Sequence, residues 1–171
     1  TRYVPMLWKW ADAKVGLDVA GRLINAEQAE RRNLFMVNPI EGNHYDTLRT
    51  LVSAYQMILP GEQARTHRHS PNALRFVLDC GEDCYTVVDG IRIDMRPNDV
   101  LLTPGNCWHS HYNNGKRDAY WIDFLDVPLV HLLEPTHSAR FVEVLGKAYP
   151  GWREARAELN ELPLGAEVWR E

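Results

Sequence analysis

Gly61-Glu62-Gln63-Ala64-Arg65-Thr66-His67-Arg68-His69 decides the fold once it is set beside a second pair, His109-Ser110-His111. Alternate side chains of a strand share one face. Each His-x-His pair therefore aims two imidazoles in one direction. A single pair is an ordinary polar strand face, but two in one small chain point to a shared interior. Three imidazoles meeting at one point suit a divalent transition metal.

The flanks read as strands. Leu51 to Leu59 is a run of β-favouring residues stopped by Pro60-Gly61. Leu74-Arg75-Phe76-Val77-Leu78 follows. Tyr85 to Val88, Asp89-Gly90 and Ile91 to Ile93 form a hairpin pattern, because Asp-Gly accepts the positive φ angles of a type I′ turn. Pro97-Asn98 turns the chain before Val100-Leu101-Leu102, and the segments His109 to Tyr112 and Ala119 to Leu125 complete the set. Short strands between turns predict an all-β sandwich or barrel over residues 48–132.

Residues 1–47 form an N-terminal arm. In it Asn25 caps a short helix through about Arg32, with Gln28 at the capping-box position. Phe35-Met36-Val37 then reads as a strand ending in a turn at Asn38-Pro39. Residues 133–171 read as a helical extension, with helices over 138–148 and 152–162. In the second, Ala155, Leu159 and Leu162 fall at helical spacing. At 171 residues the whole is expected to be one domain.

Composition narrows the function. Lys and Arg number 19 against 23 Asp and Glu, a net charge of −4, which argues against a nucleic-acid binder. No apolar run approaches the roughly 18 residues of a membrane span. The start lacks the apolar stretch of a signal peptide, so none is expected. Three cysteines, Cys80, Cys84 and Cys107, are too few and odd in number for a disulfide framework, and the expected compartment is the cytoplasm. Cys80 and Cys84 lack a second pair to complete a zinc site and read as ordinary thiols, Cys107 as packing, and Tyr85 and Trp108 as core aromatics. No Gly-x-Ser-x-Gly stretch supports a nucleophilic hydrolase.

The spacing carries a resemblance. Gly61, five residues, His67-x-His69, and later Pro104, four residues, His109, three residues, Asn113 resemble the two motifs of the cupins. The resemblance implies a double-stranded β-helix (jelly-roll) barrel with short terminal helical segments, and a metal held by His67, His69 and His109. The carboxylate that common cupins place after the His-x-His is missing, since Ala73 and Leu74 stand there. Asn98 and Asn106 replace glycines of the second motif. Pro60-Gly61-Glu62, Ala73-Leu74-Arg75-Phe76, Tyr85 to Gly90, Trp108 to His111, Ala29 to Arg32, Asn38-Pro39 and Asp123 to Val130 together look like the gentisate 1,2-dioxygenases and their salicylate-cleaving relatives. Those enzymes are usually bicupins about twice this long, so the chain is expected to be a single-barrel relative or a fragment.

The resemblance implies an Fe(II)-dependent, extradiol-type ring-cleaving dioxygenase. Its substrate would be a 2-hydroxybenzoate such as gentisate or salicylate, with dioxygen as co-substrate and cleavage between the carbons bearing carboxylate and hydroxyl. Three neutral imidazoles leave about three open metal positions, and an anionic substrate brings the charge the ligand set lacks. Arg75 is the expected carboxylate anchor, since Arg forms two-point contacts with carboxylates, and Arg31 or Arg32 is expected to close the pocket. His111 is expected to hydrogen-bond the substrate or oxygen and to shuttle a proton. Gln56 is expected to bond the substrate, and Asp123 to orient an imidazole or the arginine. Two alternatives stay open: another metal-dependent cupin reaction, on a β-diketone or small hydroxylated compound, and a non-catalytic module that binds a metal and an aromatic acid. The expected partners are a small aromatic hydroxy-acid and further copies of the chain in a homo-oligomer, with no nucleic acid and no membrane.

Overall fold

A computed structural model of the chain describes residues 3–29, 31–126 and residue 143. Among the described residues two helices, α1 (Trp10–Leu23) and α2 (Ala26–Ala29), precede nine strands. These are β1 (Arg32–Phe35), β2 (Leu51–Ile58), β3 (Gln63–His67), β4 (Ala73–Asp79), β5 (Cys84–Val88), β6 (Ile91–Asp94), β7 (Val100–Thr103), β8 (His109–Asn113) and β9 (Ala119–Asp126). One sheet has the order β1-β2-β9-β4-β7 and the other β3-β8-β5-β6. The expected all-β barrel is therefore two antiparallel sheets face to face.

Turn chemistry follows the sequence. Asp89 and Gly90 take φ of 45° and 82°, as the primed turn between β5 and β6 requires. Asn98 and Asn106, standing where glycines were expected, also adopt left-handed backbone, with φ of 73° and 64°. Asn is among the few side chains that tolerate this region, so the replacement keeps the turns.

The interior is divided along the strands. At one end Ile58, Val77, Cys80, Cys84, Met95, Leu101, Ala119 and Trp121 form an apolar plug. Burial pushes the Cys84 thiol up to about 12 and raises that of Cys80, whose Sγ lies 3.3 Å from the Met95 carbonyl oxygen. At the other end the inward positions are polar: Gln56, Arg75, Thr86, His109, His111 and Asp123 are all buried.

A second apolar cluster lies outside the first sheet. Helix α1 packs Leu17 against Met57, Tyr55 and Tyr120, and Trp10 stacks on Tyr55 at 5.6 Å. Gly21 lets the helix approach closely, since a Cβ there would stand 2.8 Å from Met57 Cε. This helix was not anticipated; its apolar positions are diluted by Gly16 and Gly21, and its stability comes from packing on β1 and β2. The Asn25 cap is present: Gln28 N–H donates to Asn25 Oδ1 at 3.0 Å. The capped helix ends at Ala29, short of the expected Arg32, because Arg32 opens β1 and pairs opposite Met57. The helices expected over 138–148 and 152–162 lie outside the described residues, residue 143 apart.

Candidate metal centre and substrate pocket

The three imidazoles of His67, His69 and His109 converge. One ligand atom from each lies within 4.8 Å of the others, and the rings of His67 and His69 are 4.3 and 4.8 Å from that of His109. Strand geometry brings them there in different ways. His109 faces inward from β8 and is 1% exposed. His67 lies opposite it on β3, after a register shift between Ala64 and His67. His69 was expected on the same strand as His67, but β3 ends at His67 and His69 sits in the loop beyond. A neighbouring turn holds that loop: Asn106 N–H donates to the His69 carbonyl at 2.8 Å.

Backbone carbonyls fix these rings. His67 Nδ1 faces the Arg65 oxygen at 3.0 Å, His69 Nδ1 the Pro71 oxygen at 2.8 Å, and His109 Nδ1 the Cys107 oxygen at 3.0 Å. A carbonyl only accepts, so each Nδ1 carries the proton and each Nε2 offers a lone pair. Burial above all lowers the His109 imidazole to about 4, with the other two histidines acting the same way. That donor set, three neutral nitrogens with second-atom hydrogen bonds, fits a divalent transition metal.

Behind the histidines lies an ion pair. Arg75 on β4 stands directly opposite Asp123 on β9. Its Nε and Nη2 donate to the two Asp123 oxygens at 2.7 and 2.8 Å, and the arginine is 1% exposed. Nη1 lies 3.1 Å from Thr86 Oγ1 and 3.2 Å from His111 Nδ1, on the opposite sheet. The carboxylate of Asp123 thus occupies the two-point face that a substrate carboxylate was expected to take. His111 is fully buried, and its protonation is held well below the ordinary range first by that burial and then by the Arg75 charge. Its Nε2 has no hydrogen-bond partner among the described residues.

At the rim, Arg31 donates from Nε to Gln56 Oε1 at 2.7 Å, and its Nη2 lies 3.4 Å from His67 Nε2. Gln56 Oε1 also accepts from Trp121 Nε1 at 3.1 Å. Arg32 is placed elsewhere. Arg31 lies in the bend before β1 whereas Arg32 opens the strand, and the Arg32 guanidinium is buried against Glu62 and the Ile24 carbonyl. Arg31, Gln56, Arg75, His111, Asp123 and the three converging histidines are therefore brought together, and Arg32 is not.

Thr86 and Trp121 were missed by sequence reasoning. Thr86 is the inward residue facing His111 across the β5–β8 ladder, a position that alternation within the hairpin signals. Trp108, read as core, is instead 50% exposed, with the Arg68 guanidinium 4.9 Å from its ring centre.

A family model described as a cupin domain matches residues 54–127. A second, described as a YgjP-like metallopeptidase domain, matches 129–162, outside the described residues apart from residue 143. The chain is 43% identical over 139 residues to gentisate 1,2 dioxygenase 1 of Aquipseudomonas alcaligenes, covering 81% of this chain and 40% of that protein. It is 44% identical over 132 residues to 5-aminosalicylate 1,2-dioxygenase of Comamonas sp, covering 76% and 35%. Among solved structures, salicylate 1,2-dioxygenase from Pseudaminobacter salicylatoxidans matches with a TM-score of 0.70 at 40% identity, over 77% of this chain and 37% of that one. The same protein in its adduct with gentisate matches with a TM-score of 0.69. The chain spans about 40% or less of the length of these relatives. Two facing antiparallel sheets, a converging histidine trio at one end and these relatives make the described barrel a cupin domain, similar to the gentisate and salicylate 1,2-dioxygenases.

Proposed function

We propose that the chain carries the active barrel of an Fe(II)-dependent dioxygenase that opens the ring of a 2-hydroxybenzoate, such as gentisate or salicylate, between the carboxylate-bearing and hydroxyl-bearing carbons. The observation that carries this reading is the Arg31 guanidinium 3.4 Å from His67 Nε2, a cation beside the point where three imidazole lone pairs meet. Relatives named for cleavage of gentisate and 5-aminosalicylate support it.

His67, His69 and His109 would hold the iron. When bound, it supplies open positions for the substrate oxygens and the electron path to dioxygen. Arg31 anchors the substrate carboxylate in this proposal, taking the role expected of Arg75. Gln56 fixes the Arg31 guanidinium, and Trp121 fixes Gln56 in turn. His111 hydrogen-bonds an oxygen of the bound reactants from its buried place beside the ligands. The apolar plug closes the far end of the barrel and keeps bulk water from that side. A cytoplasmic homo-oligomer, at least a dimer, completes the proposal, and a monomer by sedimentation would overturn that last part.

Oxygen uptake tests the reaction. Protein loaded anaerobically with Fe(II) is expected to consume about one dioxygen per gentisate, salicylate or substituted analogue, and His69→Ala to lose this. Binding of these acids without uptake, in iron-containing protein, would overturn catalysis in favour of a binding module.

A further inference from the structure

Four imidazoles line the polar end of the barrel, and their hydrogen bonds divide them into three and one. In His67, His69 and His109 the Nδ1 atom faces a backbone carbonyl, which only accepts. In His111 the same atom faces Arg75 Nη1 at 3.2 Å. A guanidinium has five N–H groups and no acceptor, so this Nδ1 is the acceptor. Thr86 Oγ1 stands 3.0 Å from the same nitrogen and 3.1 Å from Arg75 Nη1. It receives from the arginine, and its one proton faces two acceptors, this nitrogen and Met95 Sδ at 3.3 Å, of which the thioether sulfur is the weaker. A neutral imidazole carries one ring proton, and here that proton is left to Nε2, the buried atom with no partner among the described residues.

We propose that Arg75, held by Asp123, is a positioning residue that fixes His111 as the Nε2–H tautomer, so that the fourth histidine presents a hydrogen-bond donor to whatever is bound at the three-histidine centre. The assignment deepens the dioxygenase reading and rests on it only for the identity of the bound group. Three consequences follow. His111 offers no lone pair inward, so it is not a fourth ligand although its ring lies 5.7 Å from that of His109. It stabilises negative charge developing on an oxygen of the bound reactants. It does not relay a proton, because the return path through Nδ1 is closed by the guanidinium. The shuttle role expected from the sequence is thereby narrowed to that of a fixed donor.

The test reads the tautomer directly. The full chain, labelled with ¹⁵N-histidine and loaded with zinc(II) as a diamagnetic ion, is examined by long-range ¹H–¹⁵N correlation, and His111 is assigned by its loss in His111→Gln. The expected pattern is a protonated Nε2 and bare Nδ1 for His111, with the reverse in the other three. A protonated Nδ1 on His111 overturns the proposal. Arg75→Lys, still a pure donor, is expected to keep the wild-type pattern. The double variant Arg75→Leu/Asp123→Leu is expected to shift His111 toward a mixture of tautomers, and an unchanged pattern there would overturn the role of Arg75. If the double variant does not fold, the wild-type and Arg75→Lys spectra still decide. The reading is independent of turnover. The expected pattern in a protein that takes up no oxygen keeps the positioning role and removes the dioxygenase, and the reversed pattern in an active one removes only the positioning role.

Discussion

Arg31 and Gln56 are joined by a 2.7 Å hydrogen bond that sets the guanidinium at the rim of the histidine cluster, so its charge is aimed by a neighbour that is itself buried. Removing that charge is expected to weaken binding of an anionic substrate. Hydrogen bonds to charged groups contribute about 1.5–3 kcal/mol, so Arg31→Met should raise KM for gentisate or salicylate about 10- to 100-fold. Arg31→Lys should recover only part of this, because it lacks the planar fork. Steady-state oxygen-uptake kinetics check both, and an unchanged KM would remove Arg31 as the anchor.

The Arg75–Asp123 pair is buried on both sides, at 1% and 4% side-chain exposure. Removing one partner leaves an uncompensated buried charge, so Asp123→Ala should cost about 3–5 kcal/mol of stability. Replacing both partners with leucine should cost far less, since a buried ion pair exchanged for apolar side chains is often close to neutral. Urea denaturation of the two variants separates these outcomes. Equal losses would show that packing, not charge, holds this region.

His109 makes the metal-free chain sensitive to acid. Its imidazole, lowered by burial, protonates near 4, whereas in the unfolded chain it protonates near 6.5. Between those values the unfolded state binds the extra proton. Stability should therefore fall as pH drops from about 6.5 to about 4, by up to about 1.4 kcal/mol per pH unit, and this contribution should level off below that. Denaturation midpoints followed by tryptophan fluorescence, compared with those of His109→Gln, give the slope due to this ring. A slope the variant does not change would remove burial of His109 as its cause.

Gly105 is in contact with the segment that carries His69. A methyl group there would overlap the Ser70 carbonyl oxygen, and the adjacent Asn106 N–H holds the His69 carbonyl. Gly105→Ala should therefore displace His69 and lower metal affinity by about 10-fold, the scale seen when groups supporting a ligand are lost. Metal competition with a chromophoric chelator measures it. Affinity equal to wild type would mean that the loop absorbs the change.

The barrel was legible because its signals are local: strand-length apolar runs, an Asp-Gly turn and two alternating histidine pairs. The site was legible as a set of residues and less so as a set of contacts. Arg75 sits in Leu74-Arg75-Phe76 and Asp123 in Ile122-Asp123-Phe124, each a charge between apolar neighbours, which plain alternation would turn toward solvent, so the resemblance and not the pattern placed both in the pocket. Nothing local says that they stand opposite each other, because β4 and β9 meet across more than 40 residues, a pairing fixed by the whole sheet. The sequence places the carboxylate anchor on Arg75, and the proposal moves it to Arg31 because Asp123 takes the two-point face of Arg75. Arg32 was an ambiguity of one residue, decided by where β1 begins: Arg31 lies in the bend before the strand and Arg32 is its first residue. Helix α1 escaped notice because two glycines that permit its close packing also blur its periodicity.

The register shift in β3 has a use beyond fitting one strand to another. Ala64 lies opposite His111 and His67 opposite His109, so Arg65 and Thr66 together face the single residue Ser110. A bulge of this kind leaves a backbone group without its ladder partner, and the Arg65 carbonyl is the acceptor that holds His67 Nδ1–H. Deleting Thr66 would straighten the strand and still leave His67 facing inward, yet it would draw that carbonyl back into the sheet and free the imidazole to rotate. The more regular barrel would be the weaker chelator. The irregularity is thus a tether, and insertions or deletions in this short stretch are set to alter metal retention while sparing the fold.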